Sequence, residues 1–138
     1  MFTLYTDAAT DNNTTLSAAG ILILHNGRQT QLKAPLPNGN NHQAEFHAAI
    51  TGFEELLKIA GDDAPDNTVL YYTDSKIVAD SVAKQYAKHY QPLVDALMAL
   101  QAHFSVVVTN WIPEKQNQGA HNLAQQALKQ HRTHVSGK

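Results

Sequence analysis

Apolar and polar positions along the chain change period several times, and each change marks an element. Residues 2–6 are apolar-rich, with β-branched and aromatic members, which predicts a strand stopping at Asp7 and followed by a polar loop over residues 8–15. Two extended segments, 18–25 and 28–35, flank Asn26-Gly27. That pair suits a type I′ turn, where both central residues need positive φ, so a β-hairpin is expected. After the break at Asn38-Gly39-Asn40-Asn41 the period lengthens. Phe46, Ala49, Ile50, Phe53, Leu56, Leu57 and Ala60 recur at the spacing of one helix face.

Residues 61–67, with successive aspartates and Pro65, read as a loop, and residues 68–73 as a continuous β-prone run suited to a buried strand, ending in Asp74. A helix is expected from Ser75, burying Ile77, Val78 and Val82. Another is expected from Pro92, where a first-turn proline gives up no hydrogen bond, with Leu93, Ala96, Leu97 and Leu100 as its stripe. Residues 104–111 read as a strand, and Ala120, Leu123, Ala124, Ala127 and Leu128 mark the inward face of a last helix. The order βββαβααβα predicts one α/β domain over residues 1–138, without repeats or linker.

Composition narrows the function classes. A chain of 138 residues with 43% apolar positions suffices for one domain with its own core. The absence of cysteine excludes a disulfide framework and thiolate-ligated zinc or iron–sulfur sites, and favours a cytoplasmic location. The first residues carry no basic segment, and no apolar run approaches the roughly 20 residues that span a bilayer, so neither secretion nor membrane insertion is expected. A net charge of -2 argues against holding nucleic acid by bulk electrostatics, so any such contact must be local. The eight histidines would make that contact pH-dependent.

Three acids sit at element boundaries: Asp7 and Asp74 at strand ends, Glu45 in the first turn of the long helix. Glu45 borders the apolar stripe, which directs it toward the sheet, whereas Glu54, Glu55 and Lys58 fall on the outer face. If the two strands are parallel neighbours, Asp7 and Asp74 lie side by side, and carboxylates that close repel unless protonated or bridged by a cation. A divalent metal is the economical explanation. The bland alternative makes the aspartates turn formers and the glutamate a complement to the helix dipole.

Four short motifs carry a resemblance. Tyr5-Thr6-Asp7-Ala8-Ala9, Gln43-Ala44-Glu45-Phe46, Tyr72-Thr73-Asp74-Ser75-Lys76, and Trp111-Ile112-Pro113 with Asn117-Gln118-Gly119-Ala120-His121-Asn122-Leu123-Ala124 resemble, in order and spacing, the ribonuclease HI family. The resemblance implies a ribonuclease H-like fold, a mixed five-stranded sheet flanked by helices, with the first three strands antiparallel. It implies a metal-dependent endonuclease that hydrolyses the RNA strand of RNA–DNA hybrids to 5′-phosphate and 3′-hydroxyl products. Asp7, Glu45 and Asp74 would be the catalytic metal ligands, for Mg²⁺ or Mn²⁺, with two ions when substrate is bound. Glu45 would also contact the 2′-hydroxyl that marks RNA. Further substrate contacts fall on Ala8, Asn41, His42 and Ser75. The implied partner is the hybrid, with no protein partner or membrane, and nothing demands more than a monomer.

The chain departs from the family pattern at four places. His121 stands where the family has a fourth Asp; a neutral imidazole can ligate a divalent metal, favouring Mn²⁺ or Zn²⁺, so His121 is taken as a fourth catalytic and metal residue. His42 stands where Asn is common. The connection over residues 83–90 is far shorter than the basic, Trp-bearing protrusion of longer members, with Lys84, Lys88 and His89 as its remnant, which predicts weaker hybrid affinity. The loop over 113–116 resembles the compact subgroup without the mobile histidine. Trp111 is expected beneath the last helix, and Tyr86 and Tyr90 as anchors of the helix pair. Two rival readings remain: a degenerate member that binds hybrid or double-stranded RNA with little or no cleavage, and a nuclease of this fold with another substrate.

Overall fold

Asn26 and Gly27 take φ of 50° and 75°, the double positive conformation of a type I′ turn, and His25 pairs with Arg28 across it. The expected hairpin therefore joins β2 (Ser17–His25) and β3 (Arg28–Leu36). The computed structural model describes residues 1–136. The other elements are β1 (Phe2–Thr10), α1 (Asn41–Ala60), β4 (Thr68–Thr73), α2 (Lys76–Lys84), α3 (Gln91–Gln101), β5 (Val106–Trp111) and α4 (Gln118–Ser136), with 3-10 helices at Gly61–Asp66 and Glu114–Gln116. The strands form one sheet in the order β3-β2-β1-β4-β5. β2 is antiparallel to both β1 and β3, whereas β4 runs parallel to β1 and β5 parallel to β4. This is the mixed five-stranded sheet that the motif order implied.

Local chemistry starts three of the helices. Asn40 closes a capping box, its side chain accepting from the Gln43 N–H at 2.8 Å while the Gln43 side chain accepts from the Asn40 N–H at 2.9 Å. Ser75 caps α2 through the Val78 N–H, and Pro92 sits in the first turn of α3. α1 lies on one face of the sheet, where Phe46, Phe53 and Leu56 pack with Leu4, Ile21 and Tyr71, all fully buried. Burying each such side chain contributes about 1.5–3 kcal/mol. α4 covers the opposite face over β1, β2 and β3 through its predicted stripe Ala120, Leu123, Ala124, Ala127 and Leu128. Among the described residues no helix is long and apolar enough to cross a membrane.

Five expectations need correction. β1 does not stop before residue 8 but runs on through Ala8, Ala9 and Thr10, which pair with Ala19, Ala18 and Ser17. Small side chains give no apolar period, yet Ala9 and Ala18 are buried with Ala124, Ala127 and Leu128 of α4. Residues 61–66 form a 3-10 helix in place of a loop, and β5 begins after Phe104. Ala96 is exposed; α3 turns Val94, Leu97 and Gln101 inward. Tyr86 is 58% exposed on the wall of a groove and is not the buried anchor expected, whereas Tyr90 packs on Phe46 with ring centroids 5.5 Å apart.

Candidate metal centre

The parallel pairing of β1 with β4 ends at Thr6 and Thr73. Asp7 and Asp74 therefore emerge side by side at the same sheet edge, which is where open α/β sheets build sites. The first turns of α1 bring Glu45 to the same place, and one carboxylate oxygen from each acid lies within 4.8 Å of the others. They line a cleft of about 320 Å³ with Ala8, Asn41, Glu114 and His121 among its other walls.

Burial and mutual repulsion hold all three acids toward their neutral forms. Burial, then the neighbouring Asp74 charge, pushes Asp7 up to about 6, against the Ala8 N–H and His121, which favour the carboxylate. Glu45 is driven furthest, to about 9, by burial and by the charges of Asp7 and Asp74. Asp74 is also raised by burial, with hydrogen bonds from Asp7 and Asn117 acting the other way. Three carboxylates so placed cannot all ionise unless a cation neutralises them, and a set of hard oxygen donors suits Mg²⁺ or Mn²⁺. The donor chemistry therefore fits the metal that the resemblance implied.

Two further residues complete the geometry. His121, in the first turns of α4, places Nδ1 3.0 Å from Asp7 Oδ2 and 3.7 Å from Glu114 Oε1. It stands on the cleft but outside the tight triad of carboxylates. α4 comes this close because Gly20 of β2 lies under it: a Cβ there would strike Ala120 O and Ala124 N. Asn117, fully buried ahead of α4, donates its amide to Thr6 O at 3.0 Å and so ties the start of α4 to β1 beside Asp7. Its Oδ1 has no hydrogen-bond partner among the described residues. Sequence reasoning gave Asn117 no role, although a polar side chain just before an apolar helical stripe was a visible signal.

The expected substrate contacts divide. Ala8 and Asn41 line the cleft. His42 is exposed and lines a separate groove of about 500 Å³ with Lys76, Lys84, Lys88 and His89, so the remnant basic residues do converge. The two cavities adjoin at the start of α1, where Asn41 faces one and His42 the other. Ser75 does not reach the cleft; it is buried, its hydroxyl accepting from the Val78 N–H at 3.3 Å. Trp111 is not beneath α4. It is 51% exposed and its indole N–H donates to Asp74 O at 3.1 Å, which braces the strand end carrying that acid.

Comparison with known proteins bears on the family and the fold. Residues 5–127 match the family described as reverse transcriptase-like. The chain is 40% identical over 130 residues to the provisionally named hydrolase EbsB of Enterococcus faecalis, covering 93% of this chain and 94% of that protein. It is 34% identical over 89 residues to a ribonuclease H of Trichodesmium erythraeum, covering 64% of this chain and 52% of that one. The chain thus spans about half the length of this ribonuclease H relative. Among solved structures, ribonuclease H1 of Halobacterium salinarum superposes with a TM-score of 0.82 at 20% identity, over 94% of this chain and 98% of that one. LC11 ribonuclease H1, solved with an RNA/DNA hybrid, gives 0.83 at 20% identity, over 95% and 99%. At such identity these two structures show the shared fold alone.

Proposed function

Because the chain belongs to the reverse transcriptase-like family, we propose that it is a metal-dependent endonuclease that cuts the RNA strand of RNA–DNA hybrids, leaving 5′-phosphate and 3′-hydroxyl ends. The observation that carries the reading is the convergence of Asp7, Glu45 and Asp74, from three separate elements, on one cleft. Relatives named ribonuclease H, and a structural neighbour solved with an RNA/DNA hybrid, support the choice of substrate.

In this reading Asp7, Glu45 and Asp74 hold Mg²⁺ or Mn²⁺, with two ions when hybrid is bound, and His121 is the fourth ligand. When bound, the metal makes hydroxide available near neutrality and neutralises charge on the departing 3′ oxygen. The protein supplies position and charge. The raised carboxyls release their protons as cation binds, so affinity for metal rises with pH. Glu45 and Asn41, neighbours on α1, both line the cleft, and in this reading they contact the 2′-hydroxyl that distinguishes RNA from DNA. Lys76, Lys84, Lys88 and His89, gathered around the adjoining groove, give phosphates the local positive charge that a chain of net charge -2 needs.

Cleavage of an end-labelled RNA–DNA hybrid, with single-stranded RNA, RNA duplex and DNA duplex as controls and with Mg²⁺ and Mn²⁺ titrated, tests the proposal. Hybrid-specific cutting is expected. Binding of hybrid without cutting in either metal would overturn it in favour of a binding module.

A further inference from the structure

Glu114 lines the same cleft as the three clustered acids but comes from a different element, the 3-10 helix ahead of α4. Its backbone is pinned there. Glu114 O accepts from the Asn117 N–H at 2.8 Å and from Gln118 Nε2 at 3.2 Å, so the side chain projects from a fixed root while remaining 67% exposed. Among the described residues its ionic contact is His121 Nδ1 at 3.7 Å, and that nitrogen lies closer to Asp7, at 3.0 Å. An imidazole nitrogen carries one hydrogen at most, so a bond to Asp7 leaves the Glu114 carboxylate without a short partner.

The position of this acid is costly without a cation. Glu114 stands outside the group of three acids whose oxygens lie within 4.8 Å of one another, but on the wall of the same cleft; a further carboxylate there adds to the repulsion among ionised acids and favours a divalent ion that its side chain can reach. By contrast Glu55, on the outer face of α1, is matched by Lys58 at 3.0 Å.

We propose that Glu114 is a ligand of the cation held in this cleft, supplying from the turn before α4 a carboxylate that α4 itself, with His121 facing the cleft, does not provide. The inference rests on the reading of the cleft as a cation site. It assigns the cleft one carboxylate from within β1, one from the end of β4, one from α1 and one from the 3-10 helix, an oxygen-rich set that keeps preference for hard divalent ions despite the imidazole.

The test is a titration of the whole chain with Mn²⁺ alone, without nucleic acid, following the paramagnetic resonance signal of free Mn²⁺. The wild-type chain is expected to bind, Asp74→Asn to lose binding, and Glu114→Gln to weaken it by at least about tenfold. The weakening should persist in about 1 M monovalent salt, where the screening length falls to about 3 Å. Glu114→Gln binding as tightly as wild type, while Asp74→Asn does not, would overturn this inference and leave the cation site standing. A difference that vanishes in salt would also overturn it, since Glu114 would then act only as a distant charge. A wild-type chain that binds no Mn²⁺ would remove the cation reading and this inference together.

Discussion

His121 Nδ1 lies 3.0 Å from Asp7 Oδ2, a bond that joins α4 to β1 across 114 positions of sequence. Donation from Nδ1 to the carboxylate selects one tautomer and leaves the Nε2 lone pair free, the arrangement in which a second-nitrogen hydrogen bond orients a metal-binding imidazole. His121→Ala removes both the imidazole and its hold on Asp7. The Mn²⁺ concentration needed for half-maximal cleavage should rise about tenfold. An unchanged requirement, measured by hybrid cleavage across a Mn²⁺ series, would make His121 a bystander.

Asp74 is the acid at the end of β4, with its backbone carbonyl braced by Trp111. Asp74→Asn keeps the shape and removes the charge. Cleavage should fall by at least about 100-fold, since a lost contact to the catalytic metal removes several kcal/mol of transition-state stabilisation. The metal-free melting temperature should hold or rise, because one repulsive neighbour of Asp7 and Glu45 is gone. Unchanged cleavage by the folded variant would eliminate the proposed site.

Stability of the metal-free chain should depend on pH in a direction set by the raised carboxyls. Asp7 and Glu45 bind protons more tightly in the folded chain than in the unfolded one. Their contribution is therefore whole below about pH 4. It is lost as pH rises through about 6 for Asp7 and about 9 for Glu45. Asp11 acts in the opposite sense, because the Asn13 and Thr14 N–H groups and Arg132 hold its carboxyl below the usual range, so its contribution is lost at low pH. Thermal melts in chelator should fall from mildly acidic to alkaline pH, Mg²⁺ should restore most at the alkaline end, and Glu45→Gln should flatten the upper part of the curve. A flat wild-type profile in chelator would contradict the enclosed triad.

Gly20→Ala tests how α4 is seated. The added methyl would meet backbone atoms of Ala120 and Ala124, which cannot move aside as a flexible side chain can. Urea denaturation should show a loss of about 3 kcal/mol. Cleavage should fall further than the unfolded fraction explains, since a displaced α4 carries His121 away from Asp7. Wild-type stability would show that the helix has room to shift at no cost.

Much of this molecule was legible in the order of its residues because the deciding interactions are local. Asn26-Gly27 names its own turn, Pro92 opens its own helix, and the stripe from Ala120 to Leu128 records the face that α4 buries. The acids Asp7, Glu45 and Asp74 could be picked out singly from their places beside those elements, and the resemblance of the surrounding motifs supplied a reason for them to meet. Tertiary structure decided the rest. The extension of β1 through Ala8–Ala9–Thr10 depends on β2 and α4 lying over small side chains that show no period of their own. Trp111 lies open beside Asp74, and not under α4, because the helix covers β1, β2 and β3 and stops short of β5. Asn117 and Glu114 take on meaning only when β1 and the turn before α4 come together. The physical reason is common to all of these: hydrogen bonds and charges between distant residues depend on distances of a few ångströms that only the packing of α4 on the sheet creates, whereas turns, caps and apolar stripes are set by neighbours within a few positions in the chain.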